Sequence, residues 1–150
     1  MSLRKVIGIL GAGIIGTGVA QCAAVAEYRV ILVDVDPEHL ARARRALIEA
    51  VRLQQVLGGA KVRLEELLSR ITFTCESGAL SEAALVVEAI PEKWVLKQAA
   101  WRELSGICSE EALLASSTSA IPITRLASVA RSPERVLGLH FMNPVPLKPM

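Results

Sequence analysis

Two kinds of hydrophobic pattern alternate along the chain. Unbroken apolar runs stand at Val6-Ile7-Gly8-Ile9-Leu10, Val30-Ile31-Leu32-Val33, Leu85-Val86-Val87, Leu113-Leu114-Ala115 and Val136-Leu137-Gly138-Leu139. A short run without polar alternation is the signature of a strand covered on both faces, as in a parallel sheet. Ile71-Thr72-Phe73-Thr74 adds a further strand with β-branched residues. Between the runs the spacing turns helical. Thr17 to Ala26, rich in Ala and Val, predicts a helix packed against the sheet. Glu38 to Leu57 puts Leu40, Ala43, Leu47, Ala50 and Val51 on one stripe and Arg42, Arg44, Arg45 and Arg52 on the other. Asp36 is its expected N-cap, Pro37 its first helical residue, and Gly58-Gly59 its end. Val62 to Leu68 predicts a second short helix, making a helical hairpin with the first. Ser77 to Ala84 reads as a turn with a short helix, Lys93 to Ile107 as a helix, and Pro122 as the start of another. Strands alternating with helices predict an α/β fold with a doubly wound, mostly parallel sheet, in one domain over residues 1–150.

Composition narrows this. The chain is 52% hydrophobic and only 3% aromatic, so its core is aliphatic. A net charge of +2 without a long basic run excludes nucleic acid as the expected partner. Cys22, Cys75 and Cys108 have no metal-ligand spacing and read as reduced thiols of a cytoplasmic protein. Arg4 and Lys5 before the nearly uncharged run Val6 to Ala26 have the outline of a secretory leader. The glycines at 8, 11, 13, 16 and 18 make that run a poor membrane helix, and cleavage after Ala26 would delete the first strand. No other apolar stretch has the length of a bilayer span, so no membrane partner is expected.

The chemistry gathers first at Gly11-Ala12-Gly13-Ile14-Ile15-Gly16, directly after a strand and opening a helix. Asp34 follows 18 residues past Gly16, at the end of the next strand. Together these form the dinucleotide-binding fingerprint and make the sheet a Rossmann sheet. Gly11 permits the tight turn, Gly13 lets a pyrophosphate approach the backbone, and Gly16 lets the helix close on the sheet. The helix start turns free N–H groups and its positive dipole end to the phosphates. Asp34 is expected to accept the adenosine ribose hydroxyls and to repel a 2′-phosphate, which favours NAD over NADP. A glycine-rich turn that binds nothing is the alternative, and the placement of Asp34 argues against it.

Three more polar residues leave carboxyl ends of strands, where open α/β sheets bind ligands. They are Glu92, Ser119 and His140, far apart in sequence and expected to converge on one crevice. Each has a plain structural alternative: Glu92 as an acid at a helix start, Ser119 as a cap for the helix at Pro122, His140 as a satisfied structural histidine. Lys97 has the alternative of a solvated helix lysine, and His39 is assigned no role. The arginines of the hairpin read as a solvated face or as a lip for a phosphorylated substrate tail such as coenzyme A.

Taken together, the glycine loop with Asp34, Val87-Glu88-Ala89-Ile90-Pro91-Glu92 with Lys97, Ser117-Thr118-Ser119, and Gly138-Leu139-His140-Phe141-Met142-Asn143-Pro144-Val145-Pro146 resemble the N-terminal NAD-binding domain of the 3-hydroxyacyl-CoA dehydrogenase family. The resemblance covers essentially the whole chain, and the His-Phe-x-Asn-Pro run is its most specific part. It implies NAD as cofactor, held by Gly11, Gly13, Ile14, Ile15, Gly16, Asp34, Glu92, Lys97, Ser119 and Asn143. It also implies an acyl-CoA substrate of fatty acid metabolism. His140 would be the catalytic base, Ser119 would bond the substrate's 3-oxygen, and Asn143 would hold the nicotinamide end and the histidine loop. Where the family usually has Asn-Thr-Ser-Ser, this chain has Ser117-Thr118-Ser119-Ala120, and its hairpin is poor in lysine. A carrier-protein-bound or free hydroxy acid is therefore an alternative substrate. An NAD-binding or structural module without turnover is the alternative function. An NADP-dependent 2-hydroxyacid reductase shares the glycine loop and is disfavoured by Asp34 and the His-Phe-x-Asn-Pro run. In the family, the glutamate partner of the histidine and a helical C-terminal domain that makes most of a dimer lie beyond the position of Met150. The chain is accordingly read as part of a longer homodimeric enzyme, poorly active alone.

Overall fold

The computed structural model describes residues 6–59 and 62–147. Arg4, Lys5 and Met150, which entered the sequence reading, lie outside the described residues. The chain runs β1 (Val6–Leu10), α1 (Ile14–Val25), β2 (Arg29–Val33), α2 (Pro37–Val56), α3 (Leu64–Ser69), β3 (Ile71–Thr74), β4 (Leu85–Glu88), α4 (Trp94–Ile107), β5 (Leu113–Ser116), α5 (Ile123–Ala127) and β6 (Val136–Gly138), with a 3₁₀ turn at Ser77–Glu82. The six strands form one sheet in the order β3-β2-β1-β4-β5-β6, and every pairing is parallel. The strand order reverses between β1 and β4, so a crevice opens there beyond the carboxyl ends.

The register explains why the polar residues meet. Thr74, Val33, Leu10, Glu88, Ser116 and Gly138 lie side by side in one row at the carboxyl edge. Each loop that leaves this row starts at the same height, so residues from distant parts of the chain are delivered to one rim. In β2 the side chains alternate, Val30 and Leu32 into one apolar layer, Ile31 and Val33 into the other. The first layer is closed by α1, α2 and α3 through residues such as Ala20, Ala24, Leu47 and Leu67. The second is closed by α4, α5 and the 3₁₀ turn through Trp101, Leu104, Leu126 and Leu80.

The helix of the hairpin begins as its sequence requires. Asp36 Oδ1 accepts the Glu38 N–H at 2.9 Å, and Pro37 takes the first helical position. Several element ends differ by one to three residues from the sequence reading, as where α1 starts at Ile14 and β6 stops at Gly138, and two of them bear on the site. Glu88 and Ser116 are the last residues of β4 and β5, fully buried, where the apolar runs predict the strands to stop one residue earlier. Among the described residues no helix is long and apolar enough to cross a membrane.

Candidate active site

Gly11 leaves β1 with φ of 107°, a conformation that side chains rarely adopt, and a Cβ there would stand 2.6 Å from the Ala89 carbonyl oxygen. Gly16 lies against the loop itself, so a Cβ would meet the Gly11 carbonyl oxygen at 1.8 Å. At Gly13, by contrast, a Cβ would meet nothing within 4 Å. Gly13 is also the N-cap of α1, with no side chain capping it and no acid in the first turn. The helix start therefore keeps its orphan N–H groups and its positive field for a ligand.

Asp34 is buried and ties this loop to β2. Its Oδ2 accepts the Ala12 N–H at 2.8 Å, and its Oδ1 accepts the Asp36 N–H at 3.0 Å. His39, given no role by the sequence reading, places Nδ1 3.0 Å from the same Oδ1. With about two lone-pair sites on each carboxylate oxygen, Oδ1 is engaged twice within the protein and Oδ2 once. One acceptor place thus remains at Oδ2 without rearrangement, and a second at Oδ1 requires His39 to give way. The signal in the sequence was its place in the first turn of the helix that follows the acid.

On the other side of the crevice, Ser119 Oγ stands 2.9 Å from His140 Nε2, and both residues are exposed. Glu92 holds the serine loop: its Oε2 accepts the Ser119 N–H at 3.1 Å and its Oε1 accepts the Thr118 hydroxyl. Burial alone would raise the Glu92 carboxyl. The Thr118 hydroxyl, the Ser119 N–H, the Lys97 charge and the Ile121 N–H outweigh it and hold Glu92 below the usual carboxylate value. The helix after Pro122 takes no side-chain cap, from Ser119 or any other residue; Thr118 Oγ1 accepts the Ile121 N–H at 2.9 Å in the turn before it, and Ser119 Oγ faces His140.

Two expected cofactor residues, Lys97 and Ile15, turn their side chains into the protein. Lys97 has almost no exposed surface, and its Nζ lies 2.5 Å from Glu88 Oε1 and 3.4 Å from the Ile90 carbonyl oxygen. It supports the crevice from below and is neither a solvated lysine nor a free donor at the rim. Ile15 packs against the first apolar layer, so its backbone is what it can offer a cofactor, whereas Ile14 is 72% exposed. Asn143, with Pro144 to Pro146, joins Gly13, Ile14, Gly18 and the Arg42–Ala50 side of α2 around an open cavity of about 480 Å³. Sequence reading also missed Glu88 and Ser116, whose polar side chains are hidden in strand ends.

A comparison with known proteins decides the lineage of this site. Residues 6–150 match the NAD binding domain of 3-hydroxyacyl-CoA dehydrogenase. The chain belongs to the 3-hydroxyacyl-CoA dehydrogenase family. A 3-hydroxybutyryl-CoA dehydrogenase of Bradyrhizobium diazoefficiens is 42% identical over 95% of this chain and 49% of its own length. The crystal structure of 3-hydroxybutyryl-CoA dehydrogenase from Escherichia coli superposes with a TM-score of 0.90 at 34% identity, over 96% of this chain and 31% of that one. A 5-formyl-3-hydroxy-2-methylpyridine 4-carboxylic acid 5-dehydrogenase, described as an NAD+ dependent dismutase, superposes with a TM-score of 0.84 at 34% identity, over 99% of this chain and 48% of that one. The chain spans about half the length of the curated relatives it matches first.

The residues present fit the family's cofactor, NAD. The space before Gly13, the uncapped start of α1 and the remaining capacity of Asp34 Oδ2 are what a pyrophosphate and an adenosine ribose require.

Proposed function

We propose that this chain carries the cofactor-binding and proton-transfer half of an enzyme that oxidises a 3-hydroxyacyl-CoA to the 3-ketoacyl-CoA, with His140 as general base. The observation that supports this most directly is the Ser119–His140 pair at 2.9 Å, at the carboxyl rim of the same sheet as the glycine loop. Bound NAD supplies the hydride acceptor for C3. The protein supplies the rest. A substrate hydroxyl entering between the pair gives its proton to His140 Nε2, as the C3–O bond becomes a carbonyl. Ser119 donates a hydrogen bond to that oxygen and fixes it against the ring. Glu92 keeps the serine loop at its height, and Asn143 helps to hold the nicotinamide end and the histidine loop. Lys97 acts on the cofactor side through Glu92, whose charge it favours.

The cavity beside Asn143 leads away along α2 and is lined there by Ala43, Ala46, Leu47 and Ala50, with Arg42 at its edge. That lining suits the apolar length of a pantetheine-like arm. The pyridine dehydrogenase relative keeps the alternative of a free hydroxy compound in play.

The decisive experiment is a fluorescence titration with NADH and with NADPH, followed by acetoacetyl-CoA reduction. Saturable binding with a preference for NADH is expected, together with turnover well under about 1 per second by this chain alone. A folded chain that binds neither nucleotide refutes the reading.

A further inference from the structure

Glu88 ends β4 with its carboxylate fully buried. Four donors converge on it: the Ile90 N–H at 2.9 Å and Lys97 Nζ at 2.5 Å on Oε1, the Ser116 hydroxyl at 2.7 Å and Trp101 Nε1 at 3.3 Å on Oε2. Lys97 and Trp101 are four residues apart on α4 and so present one face to it. A buried ion pair is weak evidence for stability, because apolar residues of similar volume often serve as well. Four donors on one carboxylate do supply direction, and the direction continues toward the rim.

The continuation runs through Ser116. Its hydroxyl oxygen, while donating to Glu88, accepts the Thr118 N–H at 3.1 Å. The Glu88 carbonyl oxygen accepts the Ser117 N–H at 2.9 Å. The Ser116 carbonyl oxygen accepts the Leu139 N–H at 2.9 Å, which fixes the residue directly before His140. Both halves of the Ser119–His140 pair therefore hang from one buried residue: Ser119 through the turn at Thr118, His140 through Leu139. Glu92 then closes the outer side of the same loop.

We propose that the buried cluster of Glu88, Lys97, Trp101 and Ser116 is a positioning device that sets the Ser119–His140 distance. None of the four touches the reacting atoms. The cluster fixes Ser116, and Ser116 fixes the two loops. The proposal rests on the reading of Ser119 and His140 as the reacting pair, and its test is built to fail separately.

The chain has two histidines, His39 and His140, so ring ¹H–¹⁵N correlation spectra of the labelled chain resolve each against the other. Ser116→Ala removes the hydroxyl with little change of volume, and Trp101→Phe removes the indole donor at the far end together with part of a fully buried ring. The expected result is a shift of the His140 ring nitrogens toward those of an imidazole without its Ser119 partner, larger in S116A than in W101F. His39 stays as in the parent chain, because its contact with Asp34 lies on the far side of the crevice and is untouched. Should S116A fail to fold, W101F alone carries the test. A His140 signal that stays in place, or both histidines moving together as in general loosening, overturns the proposal. Failure of the parent chain to bind NADH overturns the functional reading instead, while the His140 shifts still decide for or against the cluster.

Discussion

Asp34 shows how a single carboxylate can tie two loops together and still keep acceptor capacity. It closes the glycine loop through Ala12 and the helix entry through Asp36, and keeps one acceptor place at Oδ2, which the proposed function gives to a ribose hydroxyl. Asp34→Asn retains the shape and loses the charge. A hydrogen bond to a charged group contributes about 1.5–3 kcal/mol, so NADH affinity is expected to fall about ten- to a hundredfold, and the preference over NADPH to narrow. Paired titrations of parent and variant measure both. Glu92 gives a second test, through pH. Its carboxyl is held below the ordinary value of 4.5 in the folded chain. A depressed folded value means stabilisation that is complete above 4.5 and lost as pH falls through the lower folded value. Glu92→Gln removes it, so the variant should unfold at lower denaturant near neutral pH, with the gap closing as acid is added. A gap that persists undiminished in acid would show that the charge of Glu92 is not what holds the Ser119 loop.

At the scale of elements, the turn from β1 into α1 separates two duties of glycine that the motif merges. Gly16 faces the backbone of Gly11, where a Cβ would stand 1.8 Å from a carbonyl oxygen that no side-chain movement can relieve. Gly13 has φ of −73° and open space before it. Gly16→Ala is therefore expected to cost about 3 kcal/mol or more of stability. Gly13→Ala should fold as the parent does and lose NADH affinity, because its methyl occupies the ground of the pyrophosphate. Urea melts and NADH titrations on the two variants distinguish these outcomes. The strands and the large helices were legible because each carries its own period, apolar runs for β1, β2 and β4, a 3.6-residue stripe for α2. The cross-element partnerships were not. Lys97 reads as a rim residue until Glu88, nine residues earlier, proves to be buried beneath it. An acid closing an apolar run looks like the first residue of a loop, and only the row shared with Leu10 and Ser116 reveals it as sheet interior. His39 escaped for the same reason, since its contact with Asp34 exists only once the helix has formed.

For the molecule as a whole, one sheet is sandwiched between two apolar layers, and the site lies on the edge they share. Whether the layers stand or fall together decides how firmly the rim is held. The cysteines report on this. Cys22 packs against the first layer and Cys108 belongs to the second, while Cys75 is exposed. Burial pushes the Cys22 and Cys108 thiols up, which keeps them protonated and unreactive in the folded chain. A thiol reagent should therefore modify Cys75 first, Cys22 more slowly and Cys108 slowest. The strands alternate their side chains into both layers, as β2 does with Leu32 and Ile31, so neither layer can open without exposing the other side of the sheet. A single cooperative unit follows from that geometry. As urea is raised toward the transition, the modification rates of Cys22 and Cys108 should converge on one value set by global unfolding. Rates that remain apart up to the midpoint would show that the layer of α4 and α5, which carries Glu88's partners, opens independently of the layer that carries the glycine loop.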